Sequence, residues 1–504
     1  MTDAAIKKSA APINIPAAHL SAVIGLAAAA DWLFYNRAIG ISALLFLAAV
    51  FGVSAFANRK PAEIAQAMRA FAVFVAGVAP VVYELNILSV LFALAGTAFA
   101  AQMIAHPSAS WRQRLQDASF LLPDIVWRWI ADLSRGWQAR SQAKGGALVK
   151  NLTAWIVPLV LGGIFVSLFA SANPIIDDWF AAVDWKAFLQ NISFPRIMLW
   201  LFVIAAVWPL IFLRNRGPKA AVAKAKAETP KTETPSPDFS VLFGKTAILR
   251  SLILFNLLFA VQTALDIAYL WGGLELPRGM NYATYAHRGA YPLIVTALLA
   301  AVFVLIATRP GGGAENSPLI RKLVFLWTAQ NVLLVISSQL RLSLYVAIYS
   351  LTYWRVAAAV WMTLVAIGLI LIVARFVLNR SSIWLIAANA VALTLTLYVC
   401  CFVNFPLMIA NYNVTHSKEV SGTGVVLDVH YLRSLGPQVL PAIHRYLSLN
   451  KHVNYETGIC LNNLAVRHLK RMEDWRAWTY LDWQLARYLR ERNSAAPGVT
   501  PAAN

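Results

Sequence analysis

Apolar residues run along most of this chain in long unbroken stretches rather than in alternation with polar ones. Crossing bilayer hydrocarbon takes about 20 mostly apolar residues. By that ruler eleven stretches predict membrane-spanning helices: residues 17–34, 39–57, 70–83, 85–104, 151–171, 194–213, 247–273, 289–308, 321–339, 356–377 and 383–404. The third is short and is crowded by Pro80 and Glu84, so it pairs with the fourth as one tight hairpin. Beyond the last stretch the pattern changes. "VVLDVHYLRSLGPQVLPAIHRYLSLN" and "ICLNNLAVRHLKRMEDWRAWTYLDWQLARYLRER" carry apolar residues at helical spacing, with Leu461, Leu464 and Leu469 on one face. Trp475, Trp478, Leu481, Leu485 and Leu489 mark another. The expected fold is an all-α polytopic bundle of about 11 spans with a small C-terminal helical cap.

Polar positions orient the bundle. The loops at 58–70, 105–149, 214–246 and 309–322 are rich in Lys and Arg, the second with six against three Asp. The loop at 172–192 instead carries Asp177, Asp178 and Asp184 against Lys186. Basic loops mark the cytoplasmic side, so the N-terminus is expected inside and the tail from about Ala410 outside. Within 107–145, Trp111, Trp127, Trp129 and Trp137 alternate with Arg and Asp. This segment fits amphipathic helices lying on the inner leaflet and equally an ordinary loop helix packed on the bundle. The stretch 214–246 includes "NRGPKAAVAKAKAETPKTETPSPD", rich in Lys, Ala, Pro and Thr without aromatics, and reads as a disordered cytoplasmic linker. The resulting organisation is an N-terminal membrane bundle over 1–213, the linker, a C-terminal bundle over 247–409 and an extracytoplasmic helical tail over 410–504. No repeat relates the halves.

Composition confirms the class and narrows little else. The chain is 59% hydrophobic and 13% charged with mean hydropathy +0.61, against about 45–50% and about 25% in globular proteins. The net charge of +20 follows from basic flanks of spans, and no nucleic-acid recognition motif accompanies it. Three cysteines, Cys400, Cys401 and Cys460, form no CxxC pair and no zinc spacing. Pairing of Cys460 with Cys400 or Cys401 stays open. Lys7 and Lys8 precede the first apolar run, but a second run follows so closely that a first span is expected rather than a cleaved signal.

Candidate chemistry centres on the seventh stretch. An ionisable residue inside a span is costly, and Asp266 lies about seven residues, or about 10 Å, from the end of its span. Gln262, Asp266 and Tyr269 share one helical face. The ninth stretch adds Thr328, Asn331 and Ser338 on one face, with Gln330, Ser337 and Arg341 beside them. Together these residues suggest an outward polar cavity in which Asp266 faces Arg341 or Arg288, with Tyr285 and His287 near the mouth. The alternatives are polar glue between helices and local snorkelling. Gly311–Gly313 lacks the GK[ST] of a phosphate loop. The histidines form no metal-binding motif, and His430 and His444 read as cap-surface residues. No metal and no cofactor is expected. Asp177–Asp178 suits a metal-assisted transferase or, more simply, a solvated loop.

Several stretches together carry a resemblance: "ADWLFYNRAIGISALLF", "SANPIIDDWF", "DIAYLWGGLELPRGMNYATYAHRGAYPLIVTALL", "SSQLRLSLYVAIYSLTYWRVAAAVWM", "LDVHYLRSLGPQVLPAI" and "DWRAWTYLDWQLAR". The chain resembles a family of polytopic bacterial membrane proteins of unknown function, domain of unknown function 4173 or the sister label 4153. The resemblance covers nearly the whole chain and is strongest from Asp266 to Trp361. It implies a bacterial inner-membrane protein of many helices with a short tail, and transfers no catalytic residue or ligand. The long 214–238 linker is unlike the family's more compact versions. Three functions remain expected. The first is a non-enzymatic envelope sensor, scaffold or regulatory partner with a membrane or periplasmic protein partner. The second is a transporter of a small solute or lipid-like molecule through the Asp266 cavity, and the third a membrane-embedded transferase.

Overall fold

The structure is a computed structural model that describes residues 16–58, 64–142, 193–213, 245–271, 317–450 and 455–495, with 158, 161 and 299 singly. Among the described residues every regular element is helical. The membrane helices are α1 (Ala17–Phe34), α2 (Ile41–Ala57), α3 (Ile64–Tyr83) and α4 (Ile87–Ala105), followed by α5 (Trp111–Ser119), α6 (Leu121–Gln142) and α7 (Phe194–Ile211). Then come α8 (Lys245–Leu265), continued by a π-helical turn Asp266–Trp271, α9 (Pro318–Tyr349), α10 (Tyr353–Val377) and α11 (Ser382–Cys400). The tail contains α12 (Phe405–Thr415), α13 (Val429–Ser434), α14 (Leu440–Leu449), α15 (Tyr455–Arg471) and α16 (Tyr480–Ala495). Eight of these helices are long and apolar enough to cross a membrane, and α2, at 17 residues, is a shorter apolar helix. The spans expected at 151–171 and 289–308, and most of the linker at 214–246, fall outside the described residues.

The helices divide into two compact units, one made of 1–224 with 471–480, the other of 225–470 with 481–504. In the first unit α3 and α4 form the expected hairpin. Its turn is fixed by a reciprocal cap: Ser89 N–H donates to the Asn86 side chain, and Asn86 N–H donates to Ser89 Oγ, both at 2.9 Å. The crossing needs Gly77 opposite Gly96, because a Cβ on Gly77 would stand 2.8 Å from the Gly96 Cα. Two helix backbones touch there, as small residues permit. The helix begins at Ile64, six residues before the apolar stretch. Its polar first turns are satisfied locally, with Gln66 donating to Met103 O at 2.8 Å and Arg69 to Ala65 O at 3.2 Å.

Beside the hairpin, α1 and α7 pack antiparallel around Val23, Ala27, Ala30, Val207 and Trp208. At one end Asp31 accepts from Arg196, 2.7 Å from its Nε, and Tyr35 meets Ser193. At the other end Asn58 donates to Leu210 O and Ile211 O, and His19 lies edge-on to Phe212.

In the second unit α8 and α9 run parallel. Asn256 donates to Leu323 O at 3.2 Å and its carbonyl accepts from Gln330 at 3.3 Å, while Asp266, further along α8, pairs with Arg341. Residues 271 and 317 therefore lie at opposite ends of this pair. The apolar core between α8, α9 and α10 is built from Leu252, Ile320, Val324, Trp327, Met362 and Leu369. On α11, Ile383, Ile386, Val391, Leu395 and Val399 are exposed, an apolar surface suited to lipid contact. The tail caps the far ends of α9 and α11. Asn413 holds both polar groups of Leu351, accepting from its N–H at 2.7 Å and donating to its carbonyl at 2.9 Å. Val414, Leu432, Val439, Leu440, Ile443 and Leu485 close a small core of the tail's own.

Candidate functional site

The sequence-predicted residues fall on two facing elements. Asp266 is 1% exposed and opens the π-helical turn at the end of α8. Such i→i+5 turns recur at functional positions because they redirect side chains that a regular helix would stack. Gln262, one α-helical turn earlier, donates to Asp266 Oδ1 at 3.0 Å. Arg341 of α9, with its side chain 4% exposed, forms an ion pair with the same oxygen. The carboxylate and the guanidinium thus offset each other's removal from water. Arg288, the other cation considered for Asp266, lies outside the described residues, as do Tyr285 and His287. Tyr269 is half-buried on the same turn.

Along α9 the rest of the polar stripe turns back on its own helix. Thr328, Asn331 and Ser338 are buried and donate to Val324 O, Trp327 O and Leu334 O, each at 2.8 Å. This back-bonding accounts for hydroxyls and amides in a long apolar helix. It also explains why α9 continues to Tyr349, ten residues past the expected span: Arg341 has a carboxylate to face, so its charge does not end the buried helix.

Chemically, the pair is a neutral, buried two-charge lock between parallel helices. Among the described residues no group of three His, Cys, Asp or Glu stands ready for a metal ion. Asp177 and Asp178, on which a transferase would depend, lie outside the described residues, as does Gly311–Gly313.

A second constellation escapes motif reading. Residues 471–480 of the tail pack with the N-terminal unit. Trp475–Ala477 form a 3₁₀ turn capped by Asp474, which accepts from Arg476 N–H at 3.1 Å. The Arg476 guanidinium sits 4.6 Å from the Trp32 ring centre and 5.0 Å from that of Trp475, within cation–π range of both rings. Tyr480 stacks on Tyr83 at 5.7 Å. Gly40 lies so close beneath this strap that a Cβ would stand 2.4 Å from the Ala477 carbonyl carbon. The sequence signal was the density of Trp, Arg and Tyr in "DWRAWTY", which reads locally as one more amphipathic helix.

Elsewhere on the cap, His430, Arg433, Ser434, Leu464 and Arg467 line a cleft of about 250 Å³. His444 is not a surface residue. It is half-buried, stacks on Tyr488 at 5.9 Å, and burial together with the charge of Arg492 lowers its pKa to about 4. Cys400 is half-buried, and Cys401 is buried with its Sγ donating to Leu397 O at 3.4 Å.

A family model described as a domain of unknown function (DUF4153) matches residues 15–446. The chain belongs to that family, and of the two sister labels its sequence suggests, 4153 is the one that matches. With its apolar helices, it is a multi-pass membrane protein. No curated protein and no solved structure matches it.

Proposed function

From its membership of the DUF4153 family and the threading of its tail, we propose that the chain is a non-enzymatic envelope protein. It acts as a sensor or scaffold in a bacterial inner membrane. The N-terminus faces the cytoplasm and the cap lies outside, in agreement with the alternation of basic and acidic loops. Its partners are the bilayer and a membrane or periplasmic protein, with no nucleic acid and no cofactor.

The observation that carries this reading is the strap. The chain leaves the C-terminal unit at residue 470, contributes 471–480 to the N-terminal unit and returns at 481. A partner that binds the cap thereby acts on a segment with a place in each unit, which suits relay or assembly better than turnover. The test is in-cell crosslinking from Trp483, 40% exposed on α16. A defined crosslinked partner is expected, and Gly40→Trp, which wedges the strap, should weaken it. Solute flux or substrate turnover by the purified protein, unaffected by wedging the strap, would replace this reading.

One observation favours transport as a second reading: Asp266 both opens the π turn and carries the buried charge. Asp266→Asn should then abolish uptake while leaving the amount of folded protein unchanged.

A further inference from the structure

Helix α6 has its polarity reversed. On α6, Asp124, Arg128, Asp132 and Arg135 follow one another at helical spacing, and Arg128 and Asp132 reach α7. Arg128 is 7% and Asp132 2% exposed. They form a charge ladder, with Arg128 bridging Asp124 at 2.9 Å and Asp132 at 3.6 Å, and Arg135 reaching Asp132 at 3.1 Å. Trp208 Nε1 donates to Asp132 at 3.3 Å, and Arg128 donates to the Phe212 carbonyl. The opposite face is apolar and bare: Val126 is 55%, Trp127 72% and Ile130 47% exposed. On α5, Trp111 and Leu115 are exposed beside the equally exposed Arg112, Gln116 and Ser119, so the apolar face belongs to α6. A helix in water buries its apolar face and solvates its charges. A helix in lipid does the opposite, keeping ionisable groups toward the protein.

The contacts also set the depth. As α6 proceeds from Arg128 to Asp132, its partners on α7 go back from Phe212 to Trp208. The two helices run antiparallel here, and α6 climbs beside the last turn of a membrane span. Farther along α7 the surface is apolar and open, with Phe202 67% exposed. The bare face of α6 continues that lipid-facing surface.

We propose that α6 is embedded in the leaflet at this end of the bundle, with Trp127, Ile130 and Leu133 against lipid acyl chains. α6 is too polar to register as a span, yet the apolar face it leaves bare suits hydrocarbon. The occupant is the bilayer itself, not a second protein.

Spin labels at Trp127→Cys, Ile130→Cys and Leu133→Cys test this in lipid vesicles, with Cys400, Cys401 and Cys460 replaced by Ala and Val426→Cys on the cap as a reference. Collisions with oxygen should exceed those with a water-soluble nickel complex several-fold at the three α6 positions, and the ratio should reverse at 426. Nickel-dominated collisions at α6 would place it in water, and suppression of both would place a protein against it. Either result overturns the proposal. Should the cysteine-free chain not fold, a diazirine-bearing phospholipid on the native chain gives the same decision. Adducts across 126–133 at yields comparable to 201–202 support embedding, and adducts at 201–202 with 126–133 blank refute it.

Discussion

Removing Arg341 alone should destabilise the C-terminal unit far more than removing Asp266 and Arg341 together. Both side chains are nearly inaccessible, 2% exposed for Asp266 and 4% for Arg341. Arg341→Met therefore leaves a carboxylate buried opposite no cation. The cost of breaking a buried pair on one side is about 3–5 kcal/mol. At about 2–4 °C per kcal/mol for a unit of this size, Tm should fall by roughly 10 °C. Asp266→Leu with Arg341→Met replaces both charges by apolar groups of similar bulk. Such replacements are often neutral or stabilising by about 1–4 kcal/mol, so the double variant should match or exceed the parent. The assay is thermal unfolding in lipid nanodiscs, read as a double-mutant cycle. If the two single losses simply add in the double variant, the residues do not act as a pair, and the lock between α8 and α9 is not what holds Asp266 in place. If Asp266→Asn instead unfolds normally but loses uptake, the carboxylate belongs to a transport path.

Three further outcomes follow from the geometry. Gly77→Ala puts a methyl 2.8 Å from the Gly96 Cα, so α3 and α4 must separate. A loss of about 1–3 kcal/mol, measured as lower Tm, is expected, and an unchanged Tm would mean the backbones do not touch. Gly40→Ala should lift the strap at Ala477 and speed tryptic cleavage after Arg471 and Arg476, an effect that unaltered cleavage would deny. His444 has its folded pKa lowered to about 4 from an ordinary 6.5. The unfolded chain then binds the extra proton between those values, so stability is full above about pH 6.5 and falls as pH drops toward 4. The shift is worth about 2 kcal/mol after discounting for partial exposure, and His444→Phe should flatten the pH dependence of cap unfolding.

The helices were legible wherever a full apolar span is its own signature. Their ends were less so, and in both misjudged cases a neighbour supplied what the local sequence lacks. Ile64–Ala70 reads as loop because of Gln66 and Arg69, yet Gln66 reaches the Met103 carbonyl of the next helix. Past Gln339 the composition turns polar, but Gln339 donates to Ala359 O at 2.9 Å and Arg341 meets Asp266, so α9 continues. Arg341 was one of two partners considered for Asp266 because both stand near one end of their spans. Spacing along the chain could not choose between them. The strap was illegible for a different reason. Arg471 reaches the Ile39 carbonyl across 432 residues of sequence, and nothing local distinguishes a Trp-rich turn that docks from one that merely continues a helix.

One uninterrupted helix joins the features of the C-terminal unit. At 32 residues and 1.5 Å per residue, α9 is about 48 Å long, well beyond the roughly 30 Å of bilayer hydrocarbon. One end is held by Asn413 of the cap at Leu351, just past its last turn, and Arg341 projects from it about 12 Å before that end. A helix transmits rotation without bending at any one residue, and each residue of register corresponds to about 100° of turn. A turn of α9 about its own axis by a fraction of that would carry Arg341 off Asp266. The ion pair thus fixes the rotational register of α9 against α8.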